Sequence, residues 1–264
     1  MAGKRFRREM LEKVYAAYNH RTYVHPDPVE FLYRCRVEDR EITALLAATL
    51  AYGRVAQILK SVDDALTRLE KPLETVLSAD LSCLKRRYRG YKHRFTVGDD
   101  VARMLFGAGI VIRRYGSLGA CVAAHTMPSD ATLIPALTRF IDEVSDAALG
   151  PVPFLLASPR NGSACKRLNL MVRWLVRKDH VDPGGWRQVA PSKLVVPLDT
   201  HMHRIGLEYG LTKRLSGDLR TALEITDGFR RFCPEDPVRY DFALTRAGIL
   251  GNWQRHGDRK EMRK

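Results

Sequence analysis

Residues 197–207 read "PLDTHMHRIGL", and whether that stretch is strand or helix decides the fold and the chemistry together. On a strand, residues two apart share a face, so His201 and His203 would form a metal-binding pair. On a helix they stand about 200° apart around the axis and cannot share an ion. Met202 and Ile205 are three apart, Ile205 and Tyr209 are four apart, and Gly210 follows as a stop. This spacing predicts a helix from Thr200, no shared metal site, and Asp199 as its N-cap. A cap carboxylate lies among free backbone N–H groups, which favour the anion.

The same periodicity recurs outward from this stretch. It predicts helices at Glu41–Leu50, Val55–Leu69, Val101–Tyr115, Ile134–Leu149, Lys166–Val176 and Thr200–Glu208, and a last one from about Pro237 to Leu250. No strand-like alternation persists, so the expected class is all-α. "HPDPVEFL" (25–32) and "PEDPVRYDF" (234–242) each place an Asp before a Pro, an arrangement that opens helices. Residues 177–193, "RKDHVDPGGWRQVAPSK", carry Pro, Gly and mixed charge and read as a loop with at most one short turn.

The chain has 264 residues, enough for one large domain or two small ones, and 45% of them are apolar, enough for a substantial core. Against 30 acidic residues stand 44 basic ones, a net charge of +14, so the expected partner is a polyanion. The longest apolar run, "ITALLAATLAY" at 42–52, is too short to span a bilayer. The N-terminus is basic without an apolar core, unlike a secretory signal. The expectation is therefore a cytoplasmic, nucleoid-associated protein facing nucleic acid rather than membrane. Cys35, Cys83, Cys121, Cys165 and Cys233 are scattered, which argues against disulfides, zinc knuckles and iron–sulfur clusters and for reduced, mostly buried thiols.

A second informative segment is "NGSACKRLNLMVRWLVRK", residues 161–178. Leu168, Met171, Val172 and Leu175 make an apolar stripe, with Lys166, Asn169, Arg173 and Arg177 on roughly the opposite face. Asn161, Gly162 and Ser163 suit a tight turn whose N–H groups, with the helix start, hold a phosphate. Lys166 lies in the first turn, where the helix dipole disfavours an ammonium and burial favours a neutral, nucleophilic amine.

"KRLNLMV" (166–172) followed by "VVPLDTHMHRIGLEYGL" (195–211) resembles the helix-hairpin-helix superfamily of DNA glycosylases, of which endonuclease III is a member. There a Lys opens a helix, an Asn follows three residues on, and a box of the type V-D-T-H-h-x-R-h comes later, h being apolar. Lys166 and Asn169 match the first element; Asp199, Thr200, His201, Arg204 and Ile205 match the second. "RGYKHRF" (89–95) is similar to the family's G-x-Y-x-x-K region, and "ALLAATLAYGRVAQIL" (44–59) to the helix pair that carries a DNA-wedging Gln. The chain departs from the pattern in three places. The hairpin L-P-G-V-G-x-K is here "SPRNGSACK" (158–166), Asp199 follows Lys166 by 33 positions, and Gln57 is displaced from the wedge position. The changed hairpin and long gap are more similar to the divergent archaeal 8-oxoguanine glycosylases. The cysteine cluster of endonuclease III is absent, so no iron–sulfur cluster or other cofactor is carried over. The chain as a whole also resembles a conserved bacterial family without an assigned activity.

The resemblance implies a two-lobed helical fold with a cleft, residues 41–190 forming a central lobe and 1–40 with 191–264 the other. It implies a monomeric DNA glycosylase and β-lyase. Double-stranded DNA with a damaged base, by analogy an oxidised purine, would be its substrate. Lys166 would form a Schiff base and Asp199 would assist. Asn161, Gly162, Ser163, Arg167 and Arg204 are the expected DNA contacts, and Trp174, Trp186 and Tyr91 are candidates for the base pocket. Two alternatives remain: a non-catalytic DNA- or RNA-binding protein on the same scaffold, and a metal-dependent phosphohydrolase using His201, His203 and nearby acids.

Overall fold

The computed structural model describes residues 5–251. Twelve α-helices run through them: α1 Arg8–Tyr18, α2 Arg40–Thr49, α3 Val55–Thr67, α4 Pro72–Ser78, α5 Leu81–Arg87, α6 Gly98–Tyr115, α7 Leu118–Ala124, α8 Ile134–Ala147, α9 Lys166–Val176, α10 Thr200–Glu208, α11 Leu219–Arg230 and α12 Asp241–Ile249. The class is all-α, as the periodicity predicts. One two-stranded hairpin interrupts it: β1 Lys92–His93 pairs antiparallel with β2 Thr96–Val97. The helix class was legible; the hairpin was not, because strands of two residues carry no alternation to detect.

Helices α9 and α10 match the expected bounds residue for residue, and α2, α3 and α8 end one or two residues early. The Asp-Pro signals divide. Asp27 does cap, accepting from the Val29 N–H at 3.1 Å, but the helix it opens is a 3-10 turn, Pro28–Tyr33. Asp236 caps nothing; its carboxylate takes Arg177 at 2.9 Å, and α12 starts later, at Asp241. Helices α1, α4, α5, α7 and α11 were not foreseen. The 177–193 segment is a loop with one 3-10 turn, Pro191–Lys193.

Helix α6 is the hub of one group, with α4, α5, α7 and α8 around it; α1 and α10 pack on α12; α2 lies along α9. Two glycines let neighbours approach α6 closely. A Cβ on Gly107 would stand 2.4 Å from the Val144 carbonyl oxygen of α8, and one on Gly109 2.4 Å from that of Val76 in α4. The buried apolar side chains form one connected core from Phe6 to Ala247.

Helix α9 adds to the sequence reading. Its apolar stripe is buried as expected, but so is its polar face: Asn169, Arg173 and Arg177 are 1%, 3% and 4% exposed. The reason is a set of carboxylates supplied from elsewhere in the chain. Arg173 pairs with Asp182 (3.2 Å) and Asp241, and Arg177 with Asp179 (2.8 Å), Asp182 and Asp236 (2.9 Å). Two buried cations thus tie α9 to the 179–182 loop and to the approach to α12. A lone buried charge costs several kcal/mol, so each arginine stays buried only because these partners surround it. The five thiols are unpaired, Cys121, Cys165 and Cys233 buried and Cys35 and Cys83 half-buried. No helix among the described residues is long and apolar enough to cross a membrane.

Candidate active site at the start of the ninth helix

The turn before α9 sets where Lys166 points. A 3-10 turn, Pro159–Asn161, ends at Gly162, whose φ of +73° favours glycine. Ser163 Oγ accepts the Cys165 N–H at 3.2 Å, and Cys165 itself is left-handed (φ +46°) as the N-cap. Asn169 then closes the turn from inside the helix: its Nδ2 donates to the Ala164 carbonyl at 3.0 Å. This explains an Asn three residues after the Lys better than an outward-facing role does. The turn is also pinned to α11, since the Leu219 N–H donates to the Gly162 carbonyl at 2.9 Å. No α-helix leads directly into the turn; the 3-10 turn Pro159–Asn161 precedes it.

Two cavities meet at Lys166. The larger, about 600 Å³, is lined by Asn161 to Leu168, by Ala51, Tyr52 and Gly53, and by Asp218 opposite. The first N–H groups of α9 border it without any side-chain cap. Asp218 is not free to oppose an anion fully: it caps α11 through Thr221 N–H and pairs with Arg214 at 2.6 Å, both of which hold its carboxyl well below the usual range. The smaller cavity, about 340 Å³, is lined by Lys166 and Asp199 together, with Trp174, Arg173, His201, Asp241 and Arg246.

Asp199 caps α10 as read from the sequence, accepting the Met202 N–H at 2.8 Å. The helical phase separates the histidines: His201 borders the smaller cavity while His203 Nε2 bonds the Arg214 carbonyl at 2.8 Å. Among the described residues no group of three or more His, Cys, Asp and Glu is placed to hold a metal. Lys166 is half-buried and has no hydrogen bond or ion pair among the described residues.

Of the base-pocket candidates only Trp174 borders this cavity. Trp186 lies away from it, its Nε1 donating to Glu41 at 2.5 Å beside Gly119, and Tyr91, which donates to the Ser61 carbonyl at 3.1 Å, does not line it. Neither borders the cavity; their indole and phenol groups serve as internal braces. Arg167 is likewise not an outstretched contact. It donates to the carbonyls of Thr49 (2.7 Å) and Phe154 and lies against the rings of both Tyr52 and Phe154. Burial without a carboxylate lowers its pKa. Arg204 is exposed, and Gln57 is exposed and bonded to Ser61 at 3.1 Å. Sequence reasoning missed Asp241 and Arg246, which no local pattern ties to the cavity. Burial raises the Asp241 carboxyl to about 6 despite Arg173, with the nearby Asp199 adding to the rise. Trp174 Nε1 and Arg246 Nε are buried without a partner.

A family model described as "Protein of unknown function (DUF2400)" matches residues 27–250. The chain belongs to the DUF2400 family. The match takes in Lys166, Asp199, Trp174 and the hairpin, and leaves out α1. No curated protein and no solved structure matches this DUF2400 chain.

Proposed function

We propose that this chain is a DNA glycosylase with β-lyase activity that removes a damaged base, an oxidised purine by analogy, through a Schiff base on Lys166. The observation that carries the reading is the shared cavity. Lys166 and Asp199, 33 positions apart in sequence, border the same space of about 340 Å³, within the ~300–1,000 Å³ range of small-ligand pockets. Unpartnered donors on Trp174 and Arg246, with the carboxylate of Asp241, supply the kind of polar groups that read the edge of a flipped base. The grouping of α1, α10 and α12 apart from the helices around α6 supports a two-lobed reading, with this cavity at the junction.

In the proposed reaction the neutral amine of Lys166 attacks C1′ of the deoxyribose. The C1′–N bond breaks, and the base leaves with the electron pair and takes up a proton. Asp199 stabilises the positive charge that develops on the sugar. Loss of a proton and ring opening give the iminium. A proton then leaves C2′, the 3′ phosphate departs, and water frees the lysine. The uncapped N–H groups at the start of α9, with the turn at 161–163, serve to hold a flanking phosphate, and Arg204 adds a distal cation. The net charge of +14 favours the polyanion throughout.

Borohydride trapping tests this. Duplexes bearing an abasic site or an oxidised purine should give a covalent adduct with the wild type and none with Lys166→Gln, and Asp199→Asn should slow trapping by about 10²-fold or more. Tight binding with no adduct on any duplex favours the non-catalytic reading. Phosphate release abolished by EDTA favours the phosphohydrolase.

A further inference from the structure

The β1–β2 hairpin ends beside the larger cavity, and its turn has an unusual composition. His93 pairs with Thr96, so Arg94 and Phe95 are the two turn residues. Arg94 has a φ of +53°, at a position that glycine ordinarily takes in a two-residue hairpin. The fold thus keeps a long cation at the tip although a side chain costs stability there. Phe95 is 70% exposed and Phe154 40%. Their rings meet edge to face at 5.6 Å, and Phe154 meets Tyr52 in the same way at 5.0 Å. These three rings form one ledge rather than scattered exposed residues.

The ledge is rigidly mounted. Tyr52 donates to the His93 carbonyl at 2.6 Å and bonds Thr96 Oγ1 at 2.8 Å; the buried His93 ring bonds Ser61 at 2.8 Å. The Arg94 side chain lies over Gly53, where an added Cβ would stand 2.6 Å from its Nη1. Gly53 borders both cavities, so the ledge begins at their mouth. Cations border it: Arg94 lies 5.5 Å over Phe95, Arg167 about 5 Å from both Tyr52 and Phe154, and Arg54 and Lys92 are exposed. None of these four cations has a carboxylate partner among the described residues. An aromatic surface bordered by cations without carboxylate partners, of which Arg54, Lys92 and Arg94 are exposed, fits a base and its phosphate, not an apolar peptide.

We propose that Phe95 and Phe154 form a stacking platform for an unpaired nucleotide of a nucleic-acid strand passing the cavity mouth, with Arg94 and Arg54 on its phosphates. This rests on the nucleic-acid part of the proposed function but not on its lyase chemistry. The test measures affinity of the full chain for a single-stranded deoxyoligonucleotide carrying 2-aminopurine and for a fully paired duplex. Phe95→Ala should weaken single-strand binding about ten-fold or more and remove the 2-aminopurine quenching. Duplex binding should change less than about two-fold, and Phe95→Tyr should restore the wild-type values. Arg94→Ala should lower the salt dependence of binding by about one phosphate contact. Phe95 is exposed, so an unchanged melting temperature verifies folding. Equal single-strand affinity for wild type and Phe95→Ala overturns the platform, as does a wild type that binds no oligonucleotide or binds acidic peptides only. A wild type that quenches but is never trapped by borohydride supports the platform and sinks the lyase; one that is trapped without quenching does the reverse.

Discussion

Asp241→Asn is the change whose effect can be worked most directly from the fold. Asp241 is buried in the wall of the smaller cavity, paired with Arg173 and facing Asp199 and Asp182. Burial is the largest influence and raises its carboxyl from 3.8 to about 6, Arg173 pulling the other way. The native protein therefore holds a proton that the unfolded chain releases between about pH 4 and pH 6, so stability falls as pH rises through that window and is level above it. A shift of about two units, at about 1.4 kcal/mol each, comes to about 3 kcal/mol. Asparagine keeps the shape and removes the titration. Urea unfolding of both proteins should show the variant gaining about 3 kcal/mol on the wild type between about pH 4 and about pH 7. A difference independent of pH, or one that moves toward the wild type as pH rises, would refute the reasoning.

Two further substitutions probe the frame around the site. Arg177→Met removes the cation that faces Asp179, Asp182 and Asp236. It should cost about 3–5 kcal/mol, or about 6–20 °C in melting temperature for a chain of this size; a loss below about 2 °C by circular dichroism contradicts the buried network. Glu41 accepts the N–H groups of Leu118 and Gly119 at 2.9 Å each and the Trp186 indole at 2.5 Å. Glu41→Gln should cost about 1.5–3 kcal/mol and red-shift tryptophan emission, and an unchanged spectrum with unchanged stability would count against that brace.

The parts of the fold that were legible are those whose signal is local. Apolar spacing of three and four is enough to bound α9 and α10, and Asp199 is a cap because its acceptor reaches only three residues on. The burial of Asn169, Arg173 and Arg177 was not legible because a helix wheel shows what a side chain is, not what meets it. Asp182 and Asp241 come from segments that the wheel of α9 does not include. For the same reason Trp186 and Tyr91 were grouped with Trp174 by residue type, while the chain sends them to different walls. The hairpin platform lies in "RGYKHRF", but its meaning depends on Phe154 and Arg167, which are distant in sequence. The pairing of Lys166 with Asp199 in one cavity was anticipated only through motif order, since no property of either residue alone names the other.

Burial of α9 on both faces has a consequence for how variation in this family is to be interpreted. Leu168, Asn169, Met171, Val172, Arg173 and Trp174 are each held by packing, a turn carbonyl or a buried ion pair. Selection for a folded chain alone would keep these positions nearly invariant whether or not the protein performs any chemistry. Invariance along this helix is thus uninformative about catalysis. Lys166 is different: it is half-buried and has no hydrogen bond or ion pair among the described residues that a substitution would break. Among diverged relatives, retention of that one lysine, which the fold itself does not require, is the pattern that separates a working enzyme from an inherited scaffold.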